Sequence, residues 1–329
     1  MNKLRIVDFS TLSDELFNKM FEGYMDYSRF EIVKAGKDLS LEEKCELVKE
    51  ADILLSDLAH FNPIPRQIIE SAKKLKLIQC YTIGYDDIDI EAAREQGIPV
   101  ANSAGMLSKP MAEYTIMAIL YLIKSIEYAY TEFKKGNWVQ QQLMTPQYQP
   151  LELGSLTLGI IGCGSVGQEV ARLAGVFGTR ILYHNRNKLP NAVEEQLGLE
   201  YVSLEEILGS SDVLSINARM TDEARGMIGA DELALMKKGA VLVNTARGGI
   251  VDEQALADAI VGGHLRGAAV DVFLDESNIA DCPLVGLDNV ILTPHSSAIS
   301  PEGFKRVPPK VMENLNRIYE GKPPVRVVN

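Results

Sequence analysis

Of 329 residues only four are cysteine, four histidine and one tryptophan, and 33 Lys+Arg face 45 Asp+Glu. Each shortage excludes something. Cys45, Cys80, Cys163 and Cys282 stand far apart, with neither the pair spacing of a metal site nor the density of a disulfide framework. Reduced thiols, no bound metal and a cytoplasmic protein are the simplest expectation. A net charge of -12 argues against electrostatic binding to nucleic acid or to an anionic lipid surface. No run approaches the roughly 18–20 uninterrupted apolar residues of a membrane span. The opening MNKLRIVDFS enters a strand-like run directly, without the basic and apolar segments of a secretory leader. There is no internal repeat and no low-complexity stretch. What remains is an ordinary globular mixture, 46% hydrophobic and 24% charged. At roughly 100–200 residues per domain, the length points to two domains.

The first hundred residues alternate between two periods. Short apolar runs at Leu4–Phe9, Ala51–Leu55, Leu75–Cys80 and Ile98–Ala101 read as strands. Helical patterns lie between them at Ser13–Met20, Leu41–Lys49, Pro65–Lys73 and Ile90–Glu95, which predicts βα units on a parallel sheet. A long helix is expected from Lys109 to about Phe133, followed by a polar segment, Gly136–Glu152, without a clean period. A second βα series runs from Leu156 to Thr293, with strands at Leu158–Ile161, Arg180–Tyr183, Val213–Ile216, Ala240–Asn244, Gly267–Val270 and Val290–Leu292. Residues Pro301–Asn329 read as one helix and a proline-rich tail.

The sharpest local motif is Gly162-Cys163-Gly164-Ser165-Val166-Gly167, set between a strand and a helix, with a second strand ending near Asn185. In that strand–turn–helix–strand setting of about 30 residues the three glycines form a dinucleotide fingerprint. Gly162 makes the tight turn, Gly164 lets the backbone approach a pyrophosphate, and Gly167 lets helix and strand pack closely. The helix start, from Ser165 and Val166, receives the phosphate charge. An NAD-binding unit ordinarily carries Asp or Glu about 20 residues on, against the ribose 2′-hydroxyl. This chain has His184-Asn185-Arg186-Asn187-Lys188 there. Arg186 and Lys188 suit a 2′-phosphate that an acid would repel, so NADP(H) is expected over NAD(H), with NAD(H) as the alternative.

The four histidines narrow the search for an acid/base. His60 follows a strand end, His184 lies on the cofactor turn, and His264 sits in a glycine turn. His295 closes the apolar strand Asn289-Val-Ile-Leu-Thr-Pro-His, at the carboxyl end where open α/β sheets bind ligands. Imidazole there can exchange a proton with an alcohol near neutral pH. Arg247 follows another strand end in Asn244-Thr-Ala-Arg-Gly-Gly and is able to hold a carboxylate bidentately. Glu276 follows a third, five residues after Asp271, where a carboxylate beside imidazole favours the protonated ring. Asp275 competes with Glu276 for that part.

Together with Tyr81-Thr-Ile-Gly-Tyr-Asp-Asp-Ile-Asp, Gly97-Ile-Pro-Val-Ala-Asn and Ala269-Val-Asp-Val-Phe, these motifs make nearly the whole chain resemble the D-isomer-specific 2-hydroxyacid dehydrogenase family, in its glyoxylate/hydroxypyruvate reductase-like branch. The resemblance implies Arg247 on the substrate carboxylate and carbonyl, His295 as acid/base and Glu276 as its partner. It also implies substrate-binding amides around Ile83 and Gly84, and Asp271 on the nicotinamide carboxamide. Thr245 and Ala246, in the Arg247 motif, join Asn185 and Arg186 as cofactor-binding positions. The chain departs from the family after Glu276, where Ser277–Leu284 lacks the usual Pro-Glu-Pro run, and at Arg219, which replaces a proline and adds charge near the adenosine half.

The implied fold is α/β, with two Rossmann-like doubly wound parallel-sheet domains. The dinucleotide-binding domain, 104–297, is inserted into a flavodoxin-like substrate domain, 1–103 and 298–329, with cofactor and substrate expected between them. The implied reaction is reversible reduction of a 2-keto acid to a D-2-hydroxy acid by hydride transfer from NAD(P)H. The long helix and polar arm imply a homodimer by the same resemblance. Two rival readings are a cofactor-sensing, corepressor-like binding protein without turnover, and oxidation of formate or phosphite within the superfamily. Leu55, Ser56, Leu58, His60, Tyr85 and Met106 are candidates for the pocket wall, and glyoxylate, hydroxypyruvate, pyruvate and larger keto acids all remain open.

Overall fold

The computed structural model describes residues 3–58 and 61–329, so His60 lies outside the described residues. The chain divides into two compact units, Met1–Leu107 with Ile299–Asn329, and Ser108–Ala298.

The N-terminal unit alternates β1 (Leu4–Asp8), α1 (Asp14–Met20), β2 (Phe30–Lys34), α2 (Leu41–Val48), β3 (Ile53–Leu55), α3 (Arg66–Ser71), β4 (Leu77–Gln79), α4 (Ile90–Glu95) and β5 (Val100–Ala101). The strands form one parallel sheet in the order β2-β1-β3-β4-β5. Its central strands are apolar without alternation because helices cover both faces, and Ile53, Leu54, Leu55, Leu77 and Ile78 are fully buried. Local chemistry sets the helix starts: Ser13 caps α1, Ser40 and Glu43 form a reciprocal capping box on α2, and Asp89 caps α4. Sequence reading missed β2, whose outward-facing residues are only partly covered and which carries no buried apolar run to announce it. Leu55 and Ser56, expected in a pocket wall, are fully buried, because they continue the packed sheet.

The second unit opens with α5 (Ser108–Ile123) and α6 (Ile126–Lys134). One helix was expected here; the structure breaks it at Ser125, whose φ of 52° is left-handed. A tertiary contact supplies the reason. The Arg266 guanidinium donates to the Ser125 hydroxyl at 2.7 Å and to the Gln149 carbonyl at 2.8 Å, tying the break to the polar segment behind it. That segment holds one 3-10 turn, Gln142–Met144, and a second, Leu153–Ser155, follows it. Then follow β6 (Thr157–Ile161), α7 (Ser165–Gly175), β7 (Arg180–His184), α8 (Asn191–Leu197), β8 (Leu199–Tyr201), α9 (Leu204–Ser210), β9 (Val213–Ile216), α10 (Ala230–Leu235), β10 (Val241–Asn244), α11 (Glu253–Val261), β11 (Gly267–Val270) and β12 (Val290–Leu292). The parallel sheet runs β12-β11-β10-β9-β6-β7-β8. Strand order reverses between β6 and β9, which opens a crevice at their carboxyl ends.

The chain then returns to the N-terminal unit with α12 (Pro301–Tyr319), which continues through Pro308 and Pro309. The tail forms an antiparallel bridge from Val327 to Ala101. Asn314 fastens this return. Fully buried, it donates to Gln79 Oε1 at 2.7 Å and to the Val325 carbonyl at 2.9 Å, and accepts from the Val325 N–H at 2.8 Å. Asn314→Ala would strand these partners, a loss of about 1–3 kcal/mol. Urea unfolding should show that loss.

Candidate active site

The crevice in the second sheet begins at Gly162, whose φ of +90° favours glycine. A β-carbon there would lie 2.3 Å from the Ala218 backbone nitrogen, and one on Gly167 would lie 2.6 Å from the Gly162 carbonyl oxygen. Both glycines are thus required by close packing. Gly164 is different: a β-carbon on it would meet nothing within 4 Å. It opens the α7 N-terminus, where no side chain caps the first turn, so the amides of Ser165, Val166 and Gly167 face an open approach. That cradle fits the pyrophosphate of a nicotinamide dinucleotide. Asn185, at the end of β7, accepts from the Cys163 N–H at 2.6 Å and so holds the loop in place. Burial pushes the Cys163 thiol up to about 12, which removes it from nucleophilic chemistry near neutral pH.

The two cations expected beyond β7 both meet carboxylates. Arg186 Nη2 lies 3.1 Å from Glu223, with both side chains largely exposed, and Lys188 lies 3.2 Å from Glu194 on α8. Arg219 is exposed.

Three neighbouring strand ends carry the other residues. Beyond β10, Asn244 accepts from the Ala246 N–H at 3.1 Å and donates to the Arg247 carbonyl at 2.9 Å. Its side chain thereby shapes the turn through Thr245 and Ala246, both almost fully buried. Gly248 then packs on the turn beyond β11. A β-carbon on Gly248 would lie 2.0 Å from the Phe273 carbonyl carbon, so only glycine lets the Arg247 and Glu276 turns meet. Glu253 at the start of α11 accepts from the Leu274 N–H at 2.7 Å and fixes the Glu276 turn from its other side.

Beyond β12, His295 takes a left-handed φ of 50°, an uncommon conformation for a residue other than glycine. Its N–H donates to the Asp271 carbonyl at 2.8 Å. The Asp271 carboxylate, fully buried, accepts from the next two amides, Ser296 at 2.8 Å and Ser297 at 2.9 Å, and from the Thr293 hydroxyl at 2.5 Å. His295 Nδ1 stands 2.9 Å from one Glu276 oxygen and 3.1 Å from the other. A carboxylate only accepts, so Nδ1 carries the proton and Nε2 is the nitrogen left to exchange one. Burial pushes the Glu276 carboxyl up. The His295 hydrogen bond and charge, the Phe273 N–H and the Arg247 guanidinium outweigh it and hold the group below the ordinary glutamate value. Glu276 therefore stays ionised at neutral pH and protonates only as pH falls through that lowered value.

Between the rival acids, geometry favours Glu276. Asp275 turns back to accept from the Ser277 N–H at 3.0 Å and the Ser277 hydroxyl at 2.6 Å. His184 bonds the Val202 carbonyl, and His264 is half-buried against the Leu233 carbonyl. In the N-terminal unit, Ile83 and Gly84 follow the carboxyl end of β4, where Asn102 donates to the Ile83 carbonyl at 2.9 Å and Thr82 to the Gly84 carbonyl at 3.3 Å. Among the described residues, no group of three His, Cys, Asp or Glu is placed to hold a metal ion, and no helix is long and apolar enough to cross a membrane. Sequence reading missed Asn244, Thr293, Ser296 and Ser297 as parts of this site. Each serves a turn through a hydrogen bond that no local motif announces.

The profile of the D-isomer specific 2-hydroxyacid dehydrogenase, NAD binding domain, matches residues 116–297. A glyoxylate reductase from Korarchaeum cryptofilum is 38% identical over 86% of this chain and 84% of its own length. Another, from Aeropyrum pernix, is 37% identical over 96% of this chain and 94% of its own. The crystal structure of a glyoxylate reductase from Paecilomyes thermophila superposes with a TM-score of 0.87 at 29% identity, covering 100% of this chain and 99% of that one.

The packing at Gly248 makes a contrast between neighbouring glycines. Gly248→Ala should lower kcat/KM by roughly 10²-fold, the scale of a misplacement near 1 Å. Gly249→Ala, whose β-carbon would press on the flexible Met220 tip at 3.3 Å and reach the Leu274 and Arg225 side chains at ordinary contact distances of 3.5 and 3.7 Å, should cost far less. Steady-state kinetics on the two variants separates them.

Proposed function

The chain belongs to the D-isomer specific 2-hydroxyacid dehydrogenase family, and we propose that it reduces a 2-keto acid to the D-2-hydroxy acid, reversibly, through Arg247, Glu276 and His295. The observation that carries the proposal is the His295–Glu276 pair at 2.9 Å, on strand ends next to that of Arg247 in a dinucleotide-binding sheet. The relatives bear reductase names, which lends no support to a sensor without turnover.

In this reading Arg247 grips the substrate carboxylate and carbonyl, and the backbone amides of Ile83 and Gly84 in the N-terminal unit bind the carboxylate. Holding the keto carbon in one orientation converts the encounter to an intramolecular step. When bound, the reduced nicotinamide supplies the hydride. His295 delivers a proton from Nε2 to the carbonyl oxygen as it gains charge, and Arg247 offsets that charge. Glu276 holds the ring by Nδ1, in the orientation and tautomer that turn Nε2 to the substrate. Gly162, Gly164, Ser165, Val166 and Gly167 would hold the pyrophosphate; Thr245 and Ala246 would bind the cofactor too, and Asp271 its nicotinamide carboxamide. Glyoxylate and hydroxypyruvate are the first substrates to test.

NADP(H) is the preferred cofactor in this proposal. The strand end lacks the carboxylate that would repel a 2′-phosphate, and Arg186 is held only by an exposed ion pair, worth about 0–1 kcal/mol and open to exchange for a phosphate. The protein is further proposed to be a cytoplasmic homodimer. The four cysteines are free thiols, as expected in a reducing compartment. No residue of α6 is buried, and Ile126, Tyr130, Phe133, Trp138 and Met144 are exposed along α6 and the segment after it. A second copy would cover this apolar surface.

His295→Ala should lower kcat for keto-acid reduction by roughly 10²-fold or more; near-full kcat would remove His295 from the mechanism. Glu276→Gln, which leaves an uncharged amide beside Nδ1, should lower kcat by roughly tenfold or more with KM for the keto acid little changed. A keto-acid panel run with both cofactors should give a higher kcat/KM with NADPH, and a clear advantage for NADH would overturn that preference. Light scattering should find a dimer that Phe133→Asp dissociates.

A further inference from the structure

The turn that carries His295 is held from behind by a residue that lies 181 positions earlier in the chain. Tyr114, on α5, places its hydroxyl 2.5 Å from the Thr293 hydroxyl, and Thr293 is itself 2.5 Å from Asp271 Oδ1. The direction of this chain of bonds follows from donor counting. A carboxylate only accepts, so the single Thr293 proton goes to Asp271, and Tyr114 must donate to Thr293. Asp271 in turn receives the Ser296 and Ser297 amides on either oxygen and the His295 amide on its backbone carbonyl. The left-handed backbone of His295 is thus maintained by a series of bonds that starts at the phenol.

We infer that Tyr114 is a positioning residue for the proton donor: its hydroxyl, through Thr293 and Asp271, fixes the His295 turn at the distance where Nδ1 meets Glu276. Bonds in such a chain polarise one another, so the first strengthens the last. Tyr114 sits on a helix whose buried stripe, Ala112, Thr115, Ile116, Ile119 and Leu122, is packed into the core of the unit, and α5 therefore provides a rigid base for the phenol. Its neighbour Thr115, fully buried, has its hydroxyl 3.4 Å from that of Thr245. One turn of α5 thus reaches both the His295 and the Arg247 turns. Burial raises the Tyr114 phenol above its usual value, against the Thr293 hydrogen bond and with the Asp271 charge, and keeps it a neutral donor across the working range.

The inference rests on His295 as the proton donor, and the test separates the two. Tyr114→Phe removes one donor and no packing. It should lower kcat three- to tenfold, about the effect of one lost hydrogen bond, with KM for the keto acid within twofold. Thr293→Val should lower kcat further, and Thr293→Ser, which keeps the hydroxyl, should restore at least half. A Tyr114→Phe enzyme with wild-type kcat overturns the inference, whatever its melting temperature. So does a Thr293→Ser variant as impaired as Thr293→Val. If instead His295→Ala keeps its kcat, it is the assignment of the proton donor that falls.

Discussion

The proposed catalytic site depends on one buried carboxylate. Asp271 is fully enclosed, and an enclosed carboxylate is tolerated only where hydrogen bonds replace water. Here the replacements are the Thr293 hydroxyl and the amides of Ser296 and Ser297, which bracket His295 on both sides. The cost of burying the charge is met by the same bonds that force a left-handed histidine. Without that backbone conformation the imidazole would not meet Glu276, and without Glu276 the ring would lose its orientation and its preferred tautomer.

The remaining parts of the second unit serve to bring three strand ends into register. Parallel pairing of β10, β11 and β12 sets Arg247, Glu276 and His295 on adjacent turns, and Gly248 lets two of those turns touch where any side chain would hold them apart. The same sheet, where its order reverses between β6 and β9, supplies the glycine cradle. The proposed site thus follows a rule of open α/β sheets, refined by a few residues whose shape or hydrogen bonds leave little freedom.

Much of this was legible in the sequence because strand ends are. An apolar run that stops at Asn244, Val270 or Leu292 marks a carboxyl edge, and the polar residue just beyond it is a candidate wherever the run is unambiguous. Local order fails where long-range contacts decide. Asp275 and Glu276 are neighbours with the same charge, and only the fold turns one towards Ser277 and the other towards His295. The helix expected through Lys124 breaks because Arg266, far away in sequence, holds Ser125. Edge strand β2 escaped because its pattern reflects partial cover. Tyr114 escaped because a tyrosine on an apolar helix reads as core until its hydroxyl is located. Arg186 read as a free cation, and Glu223, which lies beside it, comes from a loop that no pattern near Arg186 indicates.

The central claim is that His295 carries its fixed proton on Nδ1 and shares it with Glu276. With only four histidines in the chain, nuclear magnetic resonance of imidazoles labelled with the heavy nitrogen isotope resolves each ring. The account predicts that His295 holds an Nδ1 proton at every pH where the enzyme is active, with a deshielded signal that disappears or moves sharply in Glu276→Gln. A neutral ring protonated at Nε2 alone, or an Nδ1 signal indifferent to Glu276→Gln, would contradict it.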